Sequence, residues 1–266
     1  MKKMTQLDKA GTNYWNTNWI NVAFPKPFNH QDQCLDNYVN LELHKYFQKI
    51  LNKEKKLSIL EIGCANSIWP IYFHQYFNAD VFGLDYSEIG CEKSRHLFEY
   101  YKVPAKVYCA DLFAPPETLL QKFDLVVSFG VVEHFEDTAN CLKACAALVK
   151  PGGHLFTWIP NMAGLNGFIQ KYVDRKIYDI HMPLTKKTFM QAHKDAELRL
   201  ENCDYFMPIN LGVVHSNAFA AHPLNPFFRR ILSGLSKIFW ILERWGIKIP
   251  KNRFTSPYII SMAEIS

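Results

Sequence analysis

Between residues 57 and 159, short apolar runs alternate with stretches of helical periodicity. The runs are LSILEI (57–62), DVFGLD (80–85), KVYCA (106–110), FDLVVSF (123–129) and GHLFTWI (153–159). They lack strict apolar–polar alternation, which is the pattern of strands covered on both faces. Helices are predicted between them, at 67–78, 87–101, 116–121 and 137–149. Strand followed by helix, repeated four times, predicts an α/β fold with a doubly wound, mostly parallel sheet.

The flanks carry different patterns. Residues 1–30 are polar with embedded aromatics, and Pro25 and Pro27 break any helix there. Leu35, Val39, Leu43, Tyr46, Phe47, Ile50 and Leu51 predict a helix over 35–51. Pro160, Gly164 and Gly167 open a loop-rich stretch that runs to Leu184, and a helix capped by Thr185 follows at 186–196. Leu198–Phe206 and Pro257–Ile265 read as further strands, the last of them antiparallel. The expected organisation is an N-terminal lid over 1–52, a core over 53–206, a helical insertion over 207–252 and the last core strand over 253–266.

The insertion carries a helix at 227–246. At 100° per residue, Phe227, Phe228, Ile231, Leu232, Leu235, Ile238, Phe239, Leu242 and Trp245 share one half of it. Arg229, Arg230, Ser233, Ser236, Lys237, Glu243 and Arg244 share the other, with Trp240 an intruder. Such a basic amphipathic helix caps its own domain, pairs with a second copy as a homodimer, or docks peripherally on an anionic membrane.

Composition narrows the classes. The 266 residues are 48% hydrophobic and 21% charged, with a formal net charge of +5 and no long Lys/Arg run, so nucleic acid is not an expected partner. The seven cysteines include no CxxC pair, which suggests neither a disulfide framework nor a zinc ribbon; no metal is expected. No apolar h-region follows the initial Met-Lys-Lys and no apolar run reaches membrane-spanning length, so a cytoplasmic protein is expected, with membrane association only through the helix above.

Candidate chemistry gathers where the strands end. Open α/β sheets bind ligands outside the carboxyl ends of their strands. Glu61 closes the first run, Asp85 the second and Asp111 the third, and Gly63 permits a tight turn with close backbone approach. Three acidic strand ends suit a cationic ligand rich in donors. A phosphate would call for a Gly-rich loop with Lys or Arg, which the first turn lacks. Asp85 is placed to accept both hydroxyls of a ribose.

In order along 57–160, these residues resemble the class I S-adenosylmethionine-dependent methyltransferases. Glu61-Ile62-Gly63-Cys64-Ala65-Asn66-Ser67 resembles the acidic-x-Gly-x-Gly-x-Gly motif, and Asp85 the ribose-binding carboxylate. Asp111-Leu112 resembles the adenine-contacting pair, and Phe123–Ser128 with Glu133-His134 the fourth-strand motif. Leu148-Val149-Lys150-Pro151-Gly152-Gly153 resembles the turn before strand five. One departure stands out: Ala65 and Ser67 replace the later glycines. The resemblance implies S-adenosylmethionine as cofactor, held by Glu61, Gly63, Cys64, Ala65, Asp85, Tyr86, Asp111, Leu112 and Gly130. Asp124 is expected to be structural. His134 and His181 are the candidate general bases. Tyr14, Trp15, Asn161 and His181 are candidate contacts to a small acceptor, with Trp19 part of the same lid. The expected activity is methyl transfer to a small-molecule, lipid-linked or glycan-linked acceptor at oxygen. Transfer to nitrogen or carbon, a non-catalytic cofactor-binding module and a dinucleotide oxidoreductase are the alternatives.

Overall fold

The computed structural model describes residues 8–20, 22–51, 54–214 and 225–266. The initial Met-Lys-Lys and residues 215–224 of the insertion lie outside the described residues. Seven strands form one sheet: β1 (Ser58–Ile62), β2 (Asp80–Asp85), β3 (Lys106–Cys109), β4 (Phe123–Phe129), β5 (Val149–Pro160), β6 (Arg199–Phe206) and β7 (Tyr258–Glu264). The order is β3-β2-β1-β4-β5-β7-β6. β1 to β5 pair in parallel, whereas β7 inserts antiparallel between β5 and β6. The order reverses between β1 and β4, which is where such sheets bind ligands.

Both faces of the sheet are covered, as the continuous apolar runs required. Alternate residues of one strand serve opposite cores. Ile59 packs beneath α2 (Tyr38–Ile50) and α3 (Trp69–Phe77), with Phe47, Phe73 and Phe156 as neighbours. Leu60 and Ile62 pack with Leu142 and Phe189 of α5 (Thr138–Ala146) and α8 (Lys186–Asp195) on the other face. α4 (Glu88–Tyr100) is capped by Ser87, whose Oγ accepts from Gly90 N at 2.9 Å, and α8 by a Thr185–Thr188 capping box. Asp124 is structural, as expected. Its carboxylate accepts from Ser58 N and Oγ at 2.9 and 2.8 Å, and Lys55 and Lys150 lie beside it, which holds its carboxyl well below the usual range despite partial burial.

Three sequence expectations are corrected. The loop-rich stretch before Leu184 contains two helices, α6 (Leu165–Val173) and α7 (Arg175–Asp179). The aromatic N-terminal segment forms a helix, α1 (Thr12–Trp19), which ends before the prolines. The helix predicted over 116–121 is a single 3-10 turn at Glu117–Leu119.

The amphipathic helix is present as α9 (Asn225–Arg244), but of its apolar half only the edge at Leu232 and Phe239 packs on the domain. Trp240, the apparent intruder, is its buried anchor. The indole Nε1 donates to the Ile209 carbonyl at 2.8 Å, and the ring stacks on Tyr38 at 5.2 Å. Ser236 is fully buried beside it and accepts from Leu211 N at 2.9 Å. Among the described residues no helix is long and apolar enough to cross a membrane.

Candidate active site

After β1 the chain turns at Gly63, with φ +71° and its N–H donating to the Leu84 carbonyl at 2.8 Å. A Cβ there would come within 2.5 Å of Val131 Cγ2, so glycine is required twice over. Ala65, in place of the second glycine of the motif, is accommodated by a glycine elsewhere. A Cβ on Gly90 would lie 2.8 Å from the Ala65 methyl. Ser67, in place of the third, donates to Glu61 Oε1 at 2.8 Å and accepts from Trp69 N at 3.2 Å. The departures from the glycine pattern therefore keep the turn open and supply it with a hydroxyl.

The ends of β1, β2 and β4, together with Trp15 and Trp19, enclose a cavity of about 250 Å³. Of the expected cofactor residues, Glu61, Gly63, Ala65, Asp85, Tyr86, Leu112 and Gly130 line it. Two do not. Cys64 turns its thiol away into the gap over Gly83, where a Cβ would meet Sγ at 2.4 Å, and is fully buried there. Asp111 is exposed and caps its own turn, accepting from Phe113 N at 2.9 Å, while Ala110 and Leu112 form the wall on either side.

On the acceptor side, Trp15 and His134 line the cavity, Trp15 resting edge-on against the His134 ring at 5.2 Å. Tyr14 does not reach it and packs edge-on against Trp15 at 5.0 Å. Asn161 does not line the cavity; its amide donates to the carbonyls of Arg253 and Ser256 at 3.0 and 2.9 Å, and its Oδ1 is buried without a hydrogen-bond partner. His181 lies outside the lining, its ring 4.5 Å from that of His134 and its Nδ1 2.6 Å from the Ile177 carbonyl. Sequence reasoning missed Asp8, which lines the cavity, bonds the Tyr86 hydroxyl and is tied to Phe135 by a β-bridge. Nothing in the spacing of a polar N-terminal segment signals this.

The cavity is electrostatically incomplete. Asp8, Glu61 and Asp85 line it, and no Lys or Arg does so among the described residues. Glu61 is buried and one of its carboxylate oxygens has no hydrogen-bond partner. Burial pushes its pKa up to about 8, the Ser67 hydrogen bond opposing and the Asp85 charge adding to the rise. Burial also raises Asp85, against bonds from the Ser87, Ala65 and Tyr86 amides. A buried carboxyl without a counterion takes a proton instead. A cation placed in this cavity would restore the charge of both.

Behind the cavity, Glu133, His134 and His181 each bring one donor atom within 4.8 Å of the other two. His134 and His181, the two candidate bases, are thus brought together, and Glu133 joins them. Glu133 is buried, neither carboxylate oxygen has a hydrogen-bond partner, and burial pushes its pKa up to about 8. Burial lowers the pKa of His134, and the Ile180 carbonyl, the Asp8 charge and the Gly130 carbonyl oppose this. Its Nδ1 lies 2.8 Å from the Ile180 carbonyl, so that nitrogen carries the proton and Nε2 keeps the lone pair.

A seven-stranded sheet in this order, with a cavity walled by buried carboxylates at its parallel strand ends, defines a class I S-adenosylmethionine-dependent methyltransferase. The chain belongs to the methyltransferase domain family, whose model matches residues 28–205. It is 29% identical over 112 residues to a ubiquinone biosynthesis O-methyltransferase of Coxiella burnetii, covering 42% of this chain and 47% of that protein. It is 34% identical over 105 residues to the enzyme of that name from Stutzerimonas stutzeri, covering 37% and 42%. The matched region thus spans less than half the length of these relatives. Among solved structures, phosphoethanolamine N-methyltransferase 2 of Haemonchus contortus superposes with a TM-score of 0.61 at 15% identity, over 96% of this chain and 58% of that one. At that identity the likeness is one of fold.

The residues fit the cofactor. S-adenosylmethionine carries a sulfonium and an ammonium, which meet the need of Glu61 and its unpartnered oxygen, while Asp85 offers acceptors for ribose hydroxyls. A pH signature follows. Below about pH 8 Glu61 holds a proton that a bound cation displaces, so affinity is expected to rise with pH towards 8 and level off above it. The slope approaches roughly tenfold per pH unit where one proton is released. Calorimetry in buffers of different ionisation enthalpy reads that proton directly, and Glu61→Gln is expected to abolish its release.

Proposed function

We propose that the protein transfers a methyl group from S-adenosylmethionine to a hydroxyl oxygen of a small acceptor. The observation that carries this reading is His134: a buried imidazole lining the cofactor cavity, with Nδ1 donating to the Ile180 carbonyl, which makes Nε2 its basic nitrogen. Bound S-adenosylmethionine supplies an electrophilic methyl, so the chain has to align an acceptor, exclude water and take up the hydroxyl proton. Trp15 and Trp19 line the cavity with aromatic surface, which serves the exclusion of water. His134 takes the proton, and the imidazolium so formed is favoured by the Ile180 and Gly130 carbonyls and the Asp8 carboxylate. The His181 ring stands 4.5 Å from that of His134, on the side away from the cavity lining. Nitrogen nucleophiles that arrive deprotonated need no such base. The name of the relatives, ubiquinone biosynthesis O-methyltransferase, points to hydroxylated quinone precursors as the first acceptors to try.

The test is the identity of the product. With isotopically labelled S-adenosylmethionine and a panel of phenols, catechols, sugars and amines, label is expected in a methyl ether, read by mass spectrometry and carbon NMR. Label on nitrogen or carbon alone would overturn the assignment to oxygen.

A further inference from the structure

We propose that the outward face of α9 is a docking surface for anionic lipid bilayers. α9 is held to the domain by a narrow edge, in which Leu232, Ser236 and Trp240 are buried at intervals of four residues. Phe239, together with Ile169 and Val173 of α6, packs against Leu232 around the small core at Ile209, Leu211 and Val214. Five other members of the apolar half face outward. Phe227, Ile231, Leu235, Ile238 and Trp245 recur every three to seven residues along one side and are between 44% and 76% exposed. The neighbouring helix α6 continues the exposure through Phe168 and Tyr172, at 61% and 76%. Large apolar side chains in such number are not left in water by chance, because each costs burial free energy the fold does not recover.

Charge selects the occupant. Between residues 225 and 257 the chain carries Arg229, Arg230, Lys237, Arg244, Lys248, Lys251 and Arg253 against one acid, Glu243. Glu243 accepts a hydrogen bond from the Tyr38 hydroxyl at 3.0 Å, so its charge is committed to the domain. Lys237 is paired with Asp36 at 2.6 Å, Arg244 lies over the Tyr38 ring and Lys251 over that of Phe206; Arg230 and Lys248 are exposed with no acid on this segment left to meet them. An apolar stripe flanked by cations, with Trp245 at its end, matches the interface of an anionic membrane, where apolar side chains enter the acyl boundary and Lys and Arg remain among the head groups. A second copy of the chain fits less well. A two-fold pairing sets identical surfaces against each other, which brings these cations face to face without acids to balance them.

Co-sedimentation of the full chain with vesicles of phosphatidylcholine alone, or containing phosphatidylglycerol, tests this. Wild type is expected to partition at least about tenfold more strongly onto the anionic vesicles, and to lose that preference as salt rises. Phe227→Ser with Ile231→Ser and Leu235→Ser is expected to abolish binding to both. Arg230→Glu with Lys248→Glu is expected to remove the preference for anionic lipid. All five positions are exposed, and unchanged binding of S-adenosylhomocysteine shows that each variant is folded. Equal sedimentation of wild type and both variants, or no sedimentation of wild type, would overturn the proposal. So would a dimer in analytical ultracentrifugation that the triple serine variant dissolves, since the face would then be an interface between copies.

Discussion

Asp85→Ala is expected to weaken binding of S-adenosylhomocysteine by about 100-fold or more. The carboxylate stands at the end of β2, lines the cavity and is more than nine-tenths buried, so its bonds to ligand hydroxyls form out of water. Each hydrogen bond to a charged acceptor contributes roughly 1.5–3 kcal/mol, and loss of two corresponds to about two orders of magnitude or more in affinity. The substitution also frees the amides of Ala65 and Ser87, which donate to this carboxylate at 3.2 and 2.9 Å and shape both turns of the site. Asp85→Asn separates the two effects, because it retains one acceptor oxygen while removing the charge. Its loss is expected to be intermediate. Isothermal titration gives both values, and unchanged affinity in the alanine variant would remove the carboxylate from the ribose site.

The strand ends that build this site were legible because the physics of the sheet is periodic and local. Runs covered on both faces stand out, and a carboxylate closing such a run has few places to go. What escaped depended on contacts between distant segments. Gly164 and Gly167 read as loop signals, yet Gly167 lies inside α6, where a Cβ would fall 1.8 Å from the Met162 carbonyl. That glycine is a packing residue. Pro25 and Pro27 bar a helix only near their own positions, and α1 ends at Trp19, six residues before Pro25. The motif placed Cys64 correctly on the turn without saying which way its side chain points, and Gly83 provides the space that decides it. Asn161 is tied to a loop more than 90 residues further along the chain. A helical wheel assumes that the apolar half is the buried half, and α9 departs from it, burying Trp240 of the other half beside Leu232 while Phe227, Ile231 and Leu235 stay exposed.

Replacing His134 by alanine is expected to lower turnover by about 10²–10⁴-fold, the range for loss of a general base. Affinity for S-adenosylhomocysteine should fall far less, because the carboxylates at the β1 and β2 ends remain. The split between kcat and Kd marks the residue as catalytic, whereas a merely structural histidine would cost both. The pH profile adds a second readout. Burial holds His134 below its ordinary value of 6.5, so the neutral base is present at pH 7 and lost only as pH falls through a value under 6.5. The limb in kcat therefore lies on the acid side, well separated from the binding limb that Glu61 sets near 8. An acid limb that survives unchanged in the alanine variant would transfer the role elsewhere, with Glu133 and His181 the groups next in reach.

The most direct measurement is a crystal structure of the chain with S-adenosylhomocysteine. The nucleoside is expected between Tyr86 and Leu112 with its ribose on Asp85, and the amino acid end beside Glu61 and Gly63. Occupancy of any other site, or an Asp85 carboxylate still bonded only to backbone amides beside an empty cavity, would contradict it.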